Sequence, residues 1–297
     1  MLESLLNCAR SLRSAIAGRS KRAPLCLERL GLSAEETWPP DDLALLAEMD
    51  LESWGWSALV HVESCGSTQD LAAELAELGY PHGTVVVADA MARGRGRRGR
   101  RWLAPRGGLW LTALLRPSSC SSIQLVGLAA ALSAAETAEA FAGERVLVRW
   151  PNDVYARGRK LAGILIEAEV EALSSTVLLG IGLNLNNELP SELIGKAITL
   201  REVAGFYVPR ALFAAIMLAV LGCRLSSLEG GEITRATLER LDCLGEEVSI
   251  DVGGDVVRGR VVGLDELGRL LVERARGEVT ALSAGEIVRL EPRRSSF

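Results

Sequence analysis

Residues 123–143, IQLVGLAAALSAAETAEAFAG, place the strongest constraint on how this chain can fold. The stretch is long enough for about six helical turns, rich in alanine, and charged only at Glu136 and Glu139. A helix that is apolar around nearly its whole circumference has to be covered on more than one side. The neighbouring sequence supplies cover. LWLTALL (109–115), KLAGILIEAEV (160–170) and TVLLGIGLNLN (176–186) read as apolar strands, and RALFAAIMLAVLGCRLSSLEG (210–230) as a second apolar helix. At 297 residues the chain suffices for one large domain with an appendage, or for two domains. No apolar run reaches the length of a membrane span by this reading, so no transmembrane helix is expected.

Further along, SALVHVES, TVVVAD (84–89) and VLVRW read as strands, and QDLAAELAELG as a helix ending at Gly79. ITRATLERLDCL reads as another helix. At Gly245 the texture changes: EEVSIDV, VVRGRVVGLD, RLLVERA, EVTALS and EIVRLE follow one another at intervals of about ten residues, separated by turns such as GGD and DELG. That spacing predicts a small β-barrel-like module. At the other end, residues 1–17 and 41–49 are expected to be helical, with Pro39 and Pro40 between them. The opening residues also resemble a transit peptide weakly, but read better as an ordinary first helix. The predicted division is a helical extension over 1–50, a main domain over 51–243 and a β domain over 244–297.

The formal charge is −5, yet seven arginines crowd between Arg93 and Arg106, around GRGRRGRRW. Three readings of this knot compete. It is a basic surface patch that touches nucleic acid or nothing; or a dinucleotide fingerprint; or a mobile loop that closes over an anionic ligand. The fingerprint fails, because no acidic residue lies between Asp89 and Glu136 to take a ribose hydroxyl, and RRWLAPRGG opens no helix. Glycines would let the backbone approach phosphate, and arginines would supply paired donors to phosphate or carboxylate. Six cysteines without C-x-x-C spacing, and only His61 and His82, argue against a metal centre and for reduced thiols in a cytoplasmic setting.

The segment 149–167, RWPNDVYARGRKLAGILIE, separates the remaining readings. Pro151 stops a strand, and Asn152 and Asp153 then present an amide and a carboxylate at its end, although a plain turn satisfies the same residues. Lys160 stands out because the chain holds 30 arginines and 3 lysines. A compact ammonium that swings towards carboxylate or phosphate is one reason to retain lysine there.

Taken with GRGRRG, the stretches WPND and RKLAGIL, GSTQDLA at 66–72 and GIGLN at 180–184 resemble the biotin protein ligase family over roughly residues 57–291. The S-x-x-D pattern of Ser67 and Asp70 is also a plain helix cap. The resemblance implies an α+β fold: a mixed sheet with flanking helices, like the class II aminoacyl-tRNA synthetases, and an SH3-like C-terminal β-barrel. It implies that biotin and ATP react to biotinyl-5′-adenylate, usually with Mg²⁺, and that the biotinyl group passes to one lysine of a biotin carboxyl carrier domain.

By the same resemblance, Ser67, Thr68 and Gln69 line the biotin ring end, and Arg95, Gly96 and Arg97 fold over biotin and the adenylate. Gly163 and Gly182 belong to the biotin pocket. Lys160 sits by the carboxylate and, with Arg97, carries the catalysis. Arg95, Arg97, Arg100, Trp102, Arg149, Asn152, Asp153 and Asn184 face ATP, and Asn152 and Asp153 its metal. Two positions depart from the pattern: Met91 stands where the family has glutamine, and Arg149 where it has lysine. Residues 1–50 do not read as a winged helix, so no DNA partner and no membrane are expected; a homodimer stays open. The alternatives are a lipoate or octanoate transferase, a DNA-contacting regulator, and a degenerate biotin-binding paralogue without turnover.

Overall fold

The run TVVVADAM leaves β2 (Thr84–Met91) buried along most of both faces, a condition met only in the interior of a sheet with cover on each side. The structure, a computed structural model, describes residues 51–117, 123–170, 175–226, 228, 230–275 and 277–290. The helices expected over 1–17 and 41–49 lie outside the described residues. Seven strands form the main sheet: β1 (Ala58–Cys65), β2, β3 (Leu109–Leu115), β4 (Leu147–Arg149), β5 (Asp153–Ala156), β6 (Arg159–Val170) and β7 (Ser175–Leu183). Their order is β1-β2-β3-β7-β6-β5-β4, parallel between β1 and β2 and antiparallel elsewhere.

Side-chain alternation sorts the two faces. Val86, Leu114 and Leu178 meet Ala72 and Leu75 of α1 (Thr68–Glu77) on one side. On the other, Val85, Val87, Leu111, Ala113 and Ile164 join a much larger core with α2 (Ile123–Ala142) and α4 (Arg210–Ser226). By length and apolarity α2 does qualify as a membrane-crossing helix, contrary to the sequence expectation, but 83% of its most apolar window is buried inside the protein. Its two carboxylates are neutralised: Glu136 pairs with Arg224 at 2.7 Å, and Glu139 with Arg240. Ser133 and Thr137 donate their hydroxyls to carbonyls one turn back, at 2.7 and 2.8 Å. The helix is therefore covered by its own chain.

Two short elements escaped the sequence reading. No strand is expected over Asp153–Ala156, where a plain turn satisfies Asn152 and Asp153; instead, β4 ends at Arg149 and turns through residues 150–152, so Asp153 opens a hairpin strand opposite Arg149. Helix α3 (Leu200–Ala204) is a single turn started by the Thr199 hydroxyl, which accepts from the Glu202 N–H at 3.2 Å, and stopped by Gly205 at φ 83°. Helix α5 (Gly230–Leu238) follows.

The C-terminal strands β8 (Glu247–Val252), β9 (Asp255–Leu264), β10 (Leu270–Glu273), β11 (Val279–Leu282) and β12 (Glu286–Leu290) make an antiparallel sheet ordered β11-β10-β9-β8-β12. Val248, Ile250, Val261 and Leu270 share the main core. The buried Trp150 indole and the Gln124 amide both donate to the Gly268 carbonyl, at 3.0 and 2.8 Å, tying this sheet to the larger one.

Candidate active site

A cavity of about 560 Å³ opens beside the ends of β2, β6 and β7, beneath the arginine loop. Its inner end starts where β1 gives way to α1. Ser67 is buried and caps the helix, accepting from the Gln69 N–H at 3.3 Å. The local cap is thus real, and it aims the following residues inward. Thr68 is buried as well; the Thr112 hydroxyl donates to its oxygen at 2.9 Å, and the Met91 sulfur sits 3.3 Å from its amide nitrogen. Gln69, 4% exposed, donates from Nε2 to the Leu165 carbonyl at 3.4 Å, while its Oε1 is buried with no partner.

The floor is glycine because the Trp102 indole packs closely against it. A Cβ at Gly182 would stand 2.7 Å from the Trp102 indole, and one at Gly163 would stand 3.1 Å from it. Trp102 meets Trp110 edge to face, centroids 6.3 Å apart. Its Nε1–H is buried without an acceptor. The Lys160 Nζ hangs 5.5 Å from the Trp102 ring and pairs with Asp153 Oδ2 at 2.8 Å. The other Asp153 oxygen is buried and unpartnered.

Around the mouth, the loop is folded down by its own arginines. Arg95 bridges Asp70 and Glu167, its two bonds to Glu167 being 3.2 and 3.1 Å; the Glu167 hydrogen bonds raise its pKa further. Arg97 is half-buried and donates to the Asn152 Oδ1 at 2.8 Å and the Gly285 carbonyl at 2.9 Å. Burial pulls its pKa below the usual guanidinium value. Arg98 reaches Asp251, and Arg100 grips the Glu286 carboxylate with two bonds, at 2.6 and 3.0 Å. Arg98 sits at φ 58°, the left-handed conformation that turns the loop back. Three loop arginines therefore rest on the C-terminal sheet.

Arg149, expected to face a nucleotide, lines the cavity with its charge engaged: its Nε donates to Asp242 at 2.6 Å and its guanidinium lies 3.8 Å over the Tyr155 ring. Asn152 is clamped from both sides, since its Nδ2 donates to the Ile164 carbonyl at 2.5 Å while its Oδ1 receives Arg97. Asn184 is buried and its Oδ1 accepts from Asn187 at 3.2 Å. Cys243, next to the Arg149–Asp242 pair, is no nucleophile: burial pushes its thiol up to about 12.

Every residue predicted from the sequence, from Ser67 through Asn184, lines this one cavity. So do residues the sequence reading passed over: Arg101, Tyr155, Glu192, Lys196, Glu286 and Ile287. The rarity of lysine was a signal available for Lys196. Nothing in the linear order pointed to Glu286, which reaches the site only because the C-terminal sheet docks there.

Comparison with known proteins agrees with this arrangement. The profile of the Biotin/lipoate A/B protein ligase family matches residues 62–184, and that of the Biotin protein ligase C terminal domain matches residues 243–290. The biotin–[acetyl-CoA-carboxylase] ligase of Mycobacterium tuberculosis is 32% identical over 263 residues, 85% of this chain and 96% of that one. The bifunctional ligase/repressor BirA of Bacillus subtilis is 32% identical over 233 residues, 74% of this chain and 70% of that one. Among solved structures, a biotin protein ligase from Aquifex aeolicus in complex with biotin and ATP is similar with a TM-score of 0.69 at 30% identity, covering 80% of this chain and 99% of that one.

Proposed function

The chain belongs to the biotin protein ligase family, and from that premise we propose that it joins biotin to ATP as biotinyl-5′-adenylate and passes the biotinyl group to a lysine of a biotin carboxyl carrier domain. One observation carries the reading at the level of this chain's own atoms. Gln69 Oε1, Trp102 Nε1 and Asp153 Oδ1 are buried polar atoms without partners, and all three belong to residues lining the same cavity. Each such atom costs about 1–3 kcal/mol, which a ligand of matching polarity returns. An acceptor at the inner end suits a ureido N–H, and the groups near Lys160 suit a carboxylate meeting a phosphate.

The chemistry follows from the positions. A carboxylate is a poor acyl donor, so it must first become a mixed anhydride. Biotin's carboxylate oxygen attacks the α-phosphorus of ATP, and pyrophosphate leaves with the electron pair of the broken P–O bond. Two anions have to meet in this step. Lys160 and Arg97, set in a partly closed site, offset the repulsion and stabilise the charge that develops. Ser67, Thr68 and Gln69 hold the ring end, Gly163 and Gly182 give the ligand and Trp102 room, and Arg95 and Gly96 cover the bound intermediate. The carrier lysine then attacks the carbonyl carbon, and AMP departs.

Magnesium fits this donor set as a companion of the nucleotide. Among the described residues no three His, Cys, Asp or Glu side chains cluster as a metal cage, and a magnesium ion bound with ATP needs only one or two protein carboxylates. Asp153 Oδ1 is free for it, whereas the Asn152 oxygen already receives Arg97. The ion would neutralise phosphate charge. The reading places the enzyme in the cytoplasm without a DNA partner, in keeping with the unbridged thiols of Cys65 and Cys243.

Lipoate or octanoate transfer is the competing activity of the shared family profile; the match to the biotin-ligase C-terminal domain favours biotin. The test is exchange of labelled pyrophosphate into ATP by the purified protein. Exchange is expected with biotin and not with lipoate or octanoate. Exchange with either of those instead, or with none of the three in a folded sample, would overturn the proposal.

A further inference from the structure

Most cations that line the cavity are already engaged. Arg95 is paired with Asp70 and Glu167, Arg100 with Glu286, Arg149 with Asp242 and Lys160 with Asp153, while Arg97 donates to Asn152 and Gly285. Lys196 and Arg101 are different. Both line the cavity, both are exposed, and among the described residues neither side chain has an ion pair or a hydrogen bond. Lysine is also rare in this chain, 3 against 30 arginines.

The backbone of Lys196 is fixed while its head group is free. It lies between the 3-10 turn Ser191–Leu193 and α3, and the segment runs against β6. The Lys160 N–H donates to the Lys196 carbonyl at 2.9 Å, and the Ile198 N–H donates to the Lys160 carbonyl at 3.0 Å. The two lysines are thereby neighbours on one wall, the inner one tied to a carboxylate and the outer one unopposed. Glu192 also lines the cavity, and among the described residues it makes no ion pair with Lys196.

We infer that Lys196, with Arg101, holds the β- and γ-phosphates of ATP, and therefore the pyrophosphate that leaves. The inference rests on the adenylation reading above. Carboxylate and α-phosphate have to meet beside Lys160, so the rest of the triphosphate must extend away from it. The unengaged cations at the exposed rim are what a chain of two further phosphates, carrying most of the charge, would reach. An ammonium is a compact charge with three donors that follows a departing anion without fixed geometry.

The distal phosphates are present in ATP and absent from biotinyl-5′-adenylate, which gives a clean division. In Lys196→Ala, the KM for ATP in biotin-dependent pyrophosphate exchange should rise about tenfold, and inhibition by added pyrophosphate should weaken about as much. The KM for biotin, and the rate of transfer from supplied biotinyl-5′-adenylate to a carrier domain, should not change. Lys196→Arg should keep most of the affinity for ATP. An unchanged KM for ATP with exchange intact would sink this inference and leave the adenylation reading standing. An equal loss in transfer from the supplied adenylate would also sink it, because that would mark a structural role. Absence of exchange in the unsubstituted protein would remove the adenylation reading and this inference together.

Discussion

The inner end of the cavity and its mouth are built by opposite means. At the inner end, Ser67, Thr68 and Gln69 are buried, neutral, and fixed by a helix cap, a hydroxyl pair and a backbone carbonyl. At the mouth, Arg95, Arg98 and Arg100 are held by carboxylates at or near the surface. Buried neutral hydrogen bonds hold one geometry, because breaking one strands a group away from water. Exposed ion pairs are each worth about 0–1 kcal/mol and are screened by salt. A pocket assembled this way discriminates rigidly at its base and opens cheaply at its rim. Arg97 joins the two regimes: it is a loop residue, but half-buried and bound to an amide and a backbone carbonyl.

If that division is right, the largest effect should come from Arg97. Arg97→Gly removes both bonds and frees the loop backbone, so the adenylate should escape about a hundred times faster, given roughly 1.5–3 kcal/mol for a hydrogen bond from a charged donor. Labelling of bystander proteins in a mixture with biotin and ATP measures this, and labelling confined to the carrier would refute the retaining role. At the inner end, Gln69→Leu should weaken biotin binding about 10- to 100-fold, on roughly 1–3 kcal/mol per lost buried partner. Thermal stability should change little, because the lost oxygen had no partner and the Nε2 bond to the Leu165 carbonyl that goes with it is long, at 3.4 Å. Calorimetric titration with biotin and a melting curve together decide it; a large drop in stability with unchanged affinity would make Gln69 a structural residue.

The smallest effect concerns the Arg98–Asp251 tie. The Arg98 hydrogen bond first, and the Gly254 N–H second, hold the Asp251 carboxyl below its usual pKa. Its contribution is therefore present above the ordinary carboxylate value of about 3.9 and is lost as pH falls through the lowered one. The loop should loosen only under acid conditions, seen as a change in Trp102 fluorescence against a Trp102→Phe control. Asp251→Asn should abolish that step while altering exchange activity at neutral pH less than about threefold.

Local chemistry made much of this legible in the linear chain. Continuous apolar runs marked β3, β6 and β7, the alanine-rich run marked α2, and the Ser67 cap marked the start of α1. The loop of arginine and glycine, with WPND and Lys160, identified one wall of the site through the family it resembles. Short elements were missed for a physical reason: β5 has four residues and α3 five, too few for a hydrophobic period to emerge, and each owes its state to neighbours. Met91 looked like a lost ligand contact; in the structure its sulfur lies against the Thr68 amide and the open amide oxygen belongs to Gln69.

What the sequence determined by itself was the longer elements and the kind of chemistry, since periodicity, caps and residue type act over a few positions. Which charges are spent and which are free was decided only by tertiary structure. Arg149 and Lys196 look equally available on paper. Asp242, 93 residues beyond Arg149, occupies the first, while among the described residues no carboxylate reaches the second. Charge pairing depends on distance in space, and no local rule of sequence reports it.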